Sequence, residues 1–387
     1  MTQHKSATGH PVHSRPAADL VSVSRAVADL RRGEIVLVEG DQGCVAVIAT
    51  EPLSDQGLAR LRLLAKDAGS SEESLAIVLP RVRARFLGHA GIGSGFVAFC
   101  PEPPVAPDAE TCGALANPLF DDAVLPTGGW RATSSAEDAA IRLAKLARLL
   151  PAIVAMPLGR CDAAGMAVRE NLLWLDAAGI NGYEDASAGS LRAVSEARVP
   201  LENAENARII AFRPEDGGQE HLAIVIDEPQ AGEDGEPVLV RLHSECFTGD
   251  LIGSLRCDCG PQLRGAIAEI AKSGKGGIIL YLRQEGRGIG LVNKLRAYAL
   301  QDRGFDTLDA NEELGFDADE RVYRPAAEML RQLGFGTVRL LTNNPEKLAG
   351  LEKWGVAVRE RVAHAFPSNG HNAFYLQTKK DRAGHLF

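Results

Sequence analysis

The chain has 387 residues, of which 45% are hydrophobic and 24% charged, and its formal net charge is −9. This length exceeds the roughly 250–300 residues that a single core supports, which predicts two domains. The balanced composition excludes a disordered chain, a collagen and a disulfide miniprotein. The absence of an apolar run near 20 residues excludes an integral membrane protein, and the net acidity argues against a general nucleic-acid binder, although it allows a local basic pocket for one phosphorylated small molecule.

The first segment, residues 1–17, contains three His and has no apolar core of the kind found in secretory signals. It predicts a disordered leader and a cytoplasmic protein. In a reducing compartment the seven cysteines are expected to be thiols or metal ligands and not disulfides.

The N-terminal half, residues 18–190, is predicted to be one domain of mixed α and β structure. Helical spacing predicts helices at 22–32, 58–68 and 136–150. Apolar runs predict strands at 34–38, 44–49, 75–79, 96–100 and 152–156.

The C-terminal half, residues 191–387, is predicted to be the second domain. A helix-like pattern covers 191–197, and further helices are predicted at 261–272, 291–302, 323–333 and 345–354. Strands are predicted at 207–212, 222–226, 238–243, 277–282, 338–342 and 356–362. The last strand, helix and strand predict a right-handed parallel crossover, so the fold class is α+β with two mixed α/β domains.

The strongest chemical signal is His243-Ser-Glu-Cys246 followed by Cys257-Asp-Cys259. Three thiols at this spacing can converge on one ion, and zinc favours thiolate and imidazole ligands. Three ligands leave a position for water, as in a hydrolytic site, whereas His243 as a fourth ligand would make the site structural. The sequence leaves both readings open. The other four cysteines lack ligand spacing and are interpreted as buried or idle thiols.

Three turns or loops that precede helices are rich in Arg, Lys, Gly and Asn: 283–290 (RQEGRGIG), 315–321 (GFDADER) and 341–347 (LTNNPEK). A glycine-rich turn between strand and helix lets backbone N–H groups and arginines approach a phosphate. Each turn alone has a plainer explanation, such as a solvated loop or, for Thr342 and Asn343, a helix cap. Together with the thiols they predict a polyphosphate ligand beside a catalytic zinc.

From about Ala193 to Phe387 the chain resembles GTP cyclohydrolase II. The resemblance rests on collinear motifs: RLHSECFTGDLIGSLRCDCGPQL, YLRQEGRGIGLVNKLRAYALQDRGFDT, ANEELGFDADERVY, RLLTNNPEK and TKKDRAGHLF. It implies conversion of GTP to 2,5-diamino-6-ribosylamino-4(3H)-pyrimidinone 5′-phosphate with release of formate and pyrophosphate, the opening step of riboflavin biosynthesis. It also implies a homodimer.

The resemblance assigns roles to individual residues. Cys246, Cys257 and Cys259 correspond to the zinc ligands, and zinc would supply hydroxide to attack C8 of guanine. Tyr298 corresponds to a tyrosine that orients or protonates the opening ring. Asp319 corresponds to a proton acceptor and Arg321 to a nucleophile at the α-phosphate, although a protonated guanidinium is better suited to stabilising charge during pyrophosphate loss. Pyrophosphate release implies Mg²⁺ on the triphosphate. The implied nucleotide contacts are Arg241, Leu242, His243, Ser244, Glu245, Gln262, Glu285, Gly286, Arg287, Thr307, Thr342 and Lys347.

The N-terminal half resembles a degenerate 3,4-dihydroxy-2-butanone 4-phosphate synthase domain. Where that family carries a run of metal-binding carboxylates, only Glu39 and Asp41 remain, and the expected Gly-His is replaced within Thr133-Ser-Ser-Ala136. Without those groups, metal binding and proton abstraction are expected to fail. This half is therefore predicted to be inactive and to serve dimerisation, stability or regulation.

Two other functions fit parts of the pattern. One is a GTP-binding regulatory protein that has lost the chemistry, which the presence of all three cysteines, Asp319 and Arg321 disfavours. The other is a relative that stops after partial ring opening or acts on a different base, which Tyr298 disfavours.

Overall fold

The computed structural model describes residues 18–71, 74–91, 93–103, 107–120, 124–229 and 237–364. It contains two seven-stranded sheets flanked by helices, which confirms the α+β fold with two mixed α/β domains. The predicted leader and the closing TKKDRAGHLF motif lie outside the described residues. Among the described residues, no helix combines the length and the apolar character needed to cross a membrane.

The first sheet has the order β5-β4-β3-β6-β2-β1-β7 and is antiparallel except for the parallel pair β1 and β7. Its strands are β1 (Val36–Gly40), β2 (Gly43–Ala49), β3 (Ala76–Pro80), β4 (Phe96–Pro101), β5 (Gly128–Arg131), β6 (Ile153–Gly159) and β7 (Leu173–Asp176). The central strands are buried on both faces, which explains why their sequences are continuously apolar and do not alternate.

In the part of the chain that the structure describes, seven α-helices accompany this sheet: α1 (Ala18–Arg31), α2 (Asp55–Asp67), α3 (Arg81–Phe86), α4 (Ala109–Ala116), α5 (Ser135–Leu146), α6 (Ala163–Glu170) and α7 (Ala177–Gly189). Helix α5 begins at a capping box in which Ser134 and Glu137 satisfy each other's backbone N–H groups. It ends four residues earlier than predicted, because Arg148 adopts a left-handed conformation (φ 57°) that breaks the helix.

The second sheet has the order β14-β13-β11-β12-β10-β9-β8. Its strands are β8 (Arg192–Arg198), β9 (Ala207–Arg213), β10 (His221–Ile226), β11 (Val238–Ser244), β12 (Gly277–Leu282), β13 (Thr337–Leu341) and β14 (Ala357–Val362). Strands β12, β11, β13 and β14 are mutually parallel, and the predicted parallel pairing of the last two strands is confirmed. The carboxyl ends of these strands therefore meet at one edge of the sheet, where ligands of such sheets usually bind.

The described residues of this half form five α-helices: α8 (Cys259–Lys272), α9 (Leu291–Asp302), α10 (Thr307–Glu313), α11 (Arg324–Gln332) and α12 (Pro345–Lys353). The predicted bounds of α9 and β12 match the structure, whereas α10 was not predicted. The seven-residue α10 is too short to show a helical period, and it is capped by Asp306.

The prediction of a helix at residues 191–197 is wrong, because this segment forms β8. It pairs antiparallel with β9, and Glu196 forms a cross-strand ion pair with Arg208 at 2.9 Å. Hydrogen bonding to a neighbouring strand outweighs the local sequence pattern here.

One hydrophobic cluster contains residues of both halves. Ile289, Leu300 and Phe316 pack in the same cluster as Leu79 and Phe99. Across the same interface Arg83 donates to Glu313 at 2.6 Å, with both side chains less than 10% exposed. The N-terminal half therefore lies directly behind the elements that carry the candidate site.

Candidate active site

A pocket lies at the edge where β11, β12 and β13 end. Sixteen of the predicted site residues line it: Arg241, His243, Ser244, Glu245, Cys246, Cys257, Cys259, Gln262, Glu285, Gly286, Arg287, Tyr298, Thr307, Arg321, Thr342 and Lys347. Residues that are more than 100 positions apart in the chain thus meet in one place. We call this pocket the site pocket.

The three cysteines form a group at this pocket. Their sulfurs lie within 4.8 Å of one another, and the Sγ atoms of Cys246 and Cys257 are 3.7 Å apart. Two sulfurs bound to one tetrahedral zinc at about 2.3 Å would be about 3.8 Å apart, so the spacing fits a shared ion. In the described part of the chain this is the one group of three or more His, Cys, Asp or Glu side chains close enough to hold a metal.

Gly249 closes one side of the thiol group. A Cβ atom at this position would lie 2.8 Å from Sγ of Cys257 and 3.1 Å from Sγ of Cys246. Real Cβ atoms essentially never show a contact as short as 2.8 Å, so glycine lets the short helical turn Phe247–Leu251 pass close to the sulfurs without displacing them.

A buried ammonium group supports the cysteines. Nζ of Lys294 lies 3.1 Å from Sγ of Cys246, 2.8 Å from a Glu285 oxygen and 3.0 Å from Oγ1 of Thr248. Hydrogen bonds from Cys257 and Cys259, together with the charge of Lys294, lower the pKa of Cys246, whereas hydrogen bonds within the group and burial raise the pKa of Cys257 and of Cys259. The site thus favours a thiolate at Cys246, the form that binds metal.

His243 is not the fourth member of the group. Its Nε2 lies 3.0 Å from Asp250, which also accepts from the Cys246 N–H at 3.0 Å and from the Tyr281 hydroxyl at 3.0 Å. Burial lowers the pKa of His243. The histidine orients the loop that holds Cys246, and the structure favours the three-ligand reading over the four-ligand one.

The site pocket is strongly cationic. It is lined by two glutamates, Glu245 and Glu285, and by six cations: Arg241, Arg256, Arg287, Lys294, Arg321 and Lys347. Such an excess of positive charge suits a polyanionic ligand despite the net charge of −9.

Two of these cations have only neutral hydrogen-bond partners within the described residues. Arg241 donates to Gln262 at 2.6 Å and to the Leu341 carbonyl at 3.2 Å, and its Nε has no partner there. Arg287 donates to the Ala318 carbonyl at 3.2 Å. Burial lowers the pKa of Arg241 to about 10, so an anion would relieve the cost of holding this charge out of water.

The turn after β12 is built from left-handed residues. Gly286, Arg287, Gly288 and Gly290 all have positive φ angles, between 60° and 99°. Arg287 is a non-glycine residue in a conformation that L-residues rarely adopt, a form of strain that often marks functional turns.

Arg321 and Asp319 form a tight pair beside this turn. Nε of Arg321 lies 2.8 and 3.0 Å from the two carboxylate oxygens. Burial alone would raise the pKa of Asp319, but the hydrogen bonds and charge of Arg321 outweigh it and lower the pKa. Asp319 lies behind the lining and fixes the direction of the guanidinium, which itself faces the pocket.

Tyr298 lies on α9, one helical turn after Lys294. Burial raises its pKa to about 12, and Arg256 stacks over its ring at 5.0 Å. The phenol is therefore protonated at neutral pH and available as a hydrogen-bond donor.

Two other predictions, the contact through Leu242 and the cap of α12, need correction. The side chain of Leu242 is fully buried in the core, and only its carbonyl is near the site, where it accepts from Lys347 at 2.6 Å. The cap of α12 is Asn344, whose side chain accepts from the Glu346 N–H, and not Thr342 or Asn343.

Lys294, Arg256 and Asn311 line the site pocket but were not predicted from the sequence. Lys294 precedes Tyr298 by four residues, so the helical period places both side chains on one face of α9. That spacing is the signal that could have identified it.

Known proteins resemble the C-terminal half of this chain, and one curated relative resembles almost all of it. The GTP cyclohydrolase II family model matches residues 192–363. The curated GTP cyclohydrolase-2 of Azospirillum brasilense is 54% identical over 378 residues, which cover 96% of this chain and 95% of that protein. The chain belongs to the GTP cyclohydrolase II family. It is accordingly an enzyme.

Other similarities are partial. The riboflavin biosynthesis protein RibBA of Bacillus subtilis is 54% identical over 179 residues, 46% of this chain and 44% of that protein. A crystal structure of RibBX, a two-domain 3,4-dihydroxy-2-butanone 4-phosphate synthase from A. baumannii, covers 89% of this chain and 99% of its own at 18% identity. Its TM-score of 0.33 is too low to support a conclusion.

Proposed function

We propose that the chain hydrolyses GTP to 2,5-diamino-6-ribosylamino-4(3H)-pyrimidinone 5′-phosphate, formate and pyrophosphate, and that it acts in riboflavin biosynthesis. The observation that carries this proposal is the trio of cysteine sulfurs at the wall of a pocket lined by six cations. A site of this kind joins a metal-binding corner to a binding region for a triphosphate.

Cys246, Cys257 and Cys259 would hold zinc. The support is the 3.7 Å sulfur spacing, the space left by Gly249 and the thiolate-stabilising Lys294. When bound, zinc supplies Lewis-acid activation of water as a nucleophile at neutral pH.

The cations and the left-handed turn would bind the triphosphate. Arg287 presents its guanidinium together with backbone N–H groups of the turn, and Arg241 and Lys347 approach from β11 and α12. Guanidinium groups match phosphate oxygens in pairs, which fixes the orientation of the nucleotide. Mg²⁺ is expected to accompany the triphosphate.

Tyr298 would donate a proton or a hydrogen bond to the opening imidazole ring. Its raised pKa keeps the phenol protonated, so it acts as a donor and not as a base.

Arg321 would stabilise the negative charge that develops as pyrophosphate leaves. Asp319 has a lowered pKa and is occupied by Arg321, which makes it a weak proton acceptor and a good positioning group. This assignment favours the electrostatic role of Arg321 over a covalent one.

Incubation of the protein with GTP and Mg²⁺ tests the proposed reaction. We expect formate and pyrophosphate in equal amounts, and loss of formate after treatment with a zinc chelator. GTP binding without either product would support a regulatory protein, and pyrophosphate without formate would support a partial reaction. The cytoplasmic location and the homodimer stay predictions.

We further propose that the N-terminal half is a relative of the dihydroxybutanone phosphate synthases without their activity. Glu39 accepts from the Trp174 indole N–H at 2.9 Å, and Arg131 is held by Glu137 at 2.6 and 2.9 Å. These polar groups are engaged within the fold, and the described residues of this half contain no group of three or more His, Cys, Asp or Glu side chains that lie close enough to share a metal ion.

A synthase assay tests this part of the proposal. With ribulose 5-phosphate and Mg²⁺, we expect no dihydroxybutanone phosphate above the background of a heat-denatured sample. Product formation that depends on Glu39, shown by its loss in Glu39→Gln, would contradict the proposal.

A further inference from the structure

Two short segments, residues 287–288 and 320–321, separate the site pocket from a second cavity, and we call them the wall. Arg287 and Arg321 line the site pocket, whereas their sequence neighbours Gly288 and Glu320 line a cavity of about 530 Å³ between the two domains. Gly288 packs directly on Glu320, so closely that a Cβ atom at position 288 would lie 2.8 Å from the Glu320 carbonyl oxygen.

The two parts of the wall are tied to each other. The Glu320 N–H donates to the Arg287 carbonyl at 3.0 Å, and the Arg287 guanidinium donates to the Ala318 carbonyl at 3.2 Å. A displacement of Glu320 would therefore move Arg287 and, through the chain, Arg321.

The N-terminal domain contacts this wall through Lys145, in the last turn of α5. Its Nζ lies 2.6 Å from Oε1 of Glu320 and 3.2 Å from Oδ2 of Asp317. The side chains of Lys145 and Glu320 are 16% and 21% exposed, so their ion pair is only partly screened by water. The same Glu320 oxygen accepts from the Asp317 N–H at 2.8 Å, which fixes the carboxylate.

We propose that Lys145 is a positioning residue for the cyclohydrolase reaction, through which the N-terminal domain holds Arg287 and Arg321 in their working geometry. This inference rests on the proposed function. It gives the N-terminal half a role in the chemistry of its neighbour that needs no activity of its own.

The test uses the full-length chain with substitutions at Lys145, Asp185 and Glu320. Lys145→Met removes the charge and keeps the aliphatic stem, and Lys145→Arg restores a cation that can reach both carboxylates. Asp185→Asn is the control, because Asp185 pairs with Arg324 across the same interface at 3.8 Å without contacting the wall. Formate release, KM for GTP and the melting temperature are measured for each.

We expect kcat of Lys145→Met to fall about tenfold, less than the ~100-fold that a misplacement of 1 Å can cost, with a smaller change in KM. Lys145→Arg should recover most of the rate, and Asp185→Asn should match the wild type. Glu320→Gln should reproduce the loss, and its combination with Lys145→Met should add nothing, because both remove one contact.

Three results would overturn the inference. These are a Lys145→Met variant as active as Asp185→Asn, a Lys145→Arg variant as slow as Lys145→Met, and additive losses in the double variant. A wild-type chain that releases no formate would overturn the proposed function together with this inference, whereas an active wild type with an equally active Lys145→Met would overturn the inference alone.

Discussion

Replacing Cys257 by serine is expected to abolish formate release from GTP and to leave GTP binding intact. A serine hydroxyl is not a zinc ligand at neutral pH, so two of the three converging sulfurs would remain and the ion would be lost. The cations that are proposed to bind the triphosphate lie on other elements of the pocket and keep their contacts. Formate release, zinc content and GTP affinity measured on the same preparation check this expectation.

The matched control for this variant is Cys161→Ser, because Cys161 is a free, partly buried thiol of the N-terminal domain outside the metal-binding group. It should retain both zinc and turnover. Full formate release by Cys257→Ser would show that the thiol group does not support the chemistry.

Replacing Arg321 by methionine is expected to lower the release of both products by about 10²–10³-fold, the usual cost of removing one group that stabilises developing charge. Zinc content should stay at the wild-type level, because Arg321 pairs with Asp319 and the group close enough to hold a metal consists of Cys246, Cys257 and Cys259. This separates its effect from that of Cys257→Ser. Steady-state rates of formate and pyrophosphate release provide the measurement.

Arg331→Met serves as the control for Arg321→Met. Arg331 lies on α11 and pairs with Glu328 on the surface, where its side chain is 57% exposed. This variant should turn over like the wild type. Turnover of Arg321→Met within a few-fold of wild type would contradict the electrostatic role.

The parts of the fold that sequence predicted are those with a strong local period. Helix α9 has clear apolar spacing and a glycine stop at Gly304, and β12 is a continuous apolar run, so both were predicted with their observed bounds. Strand β8 was mistaken for a helix because its partner β9, and not its own pattern, determines its conformation. Short elements such as α3 and α10 carry too few residues for a period to show.

The site residues divide in a similar way. The cysteines and the glycine-rich turn could be predicted, because metal ligation and left-handed backbone restrict residue types at fixed spacing. Spacing could place Lys294 on the same helix face as Tyr298, but it could not assign the roles of Lys294 and Lys145. Those roles depend on carboxylates that the fold brings near them: Glu285 for the first and Glu320 for the second. The second pair joins residues 175 positions apart.

The zinc content of the purified full-length protein tests the central claim most directly. Elemental analysis should find one zinc ion per chain, removed by chelation and lost in Cys257→Ser, with formate release following the zinc content. A protein that holds no stoichiometric zinc and still releases formate from GTP would contradict the account.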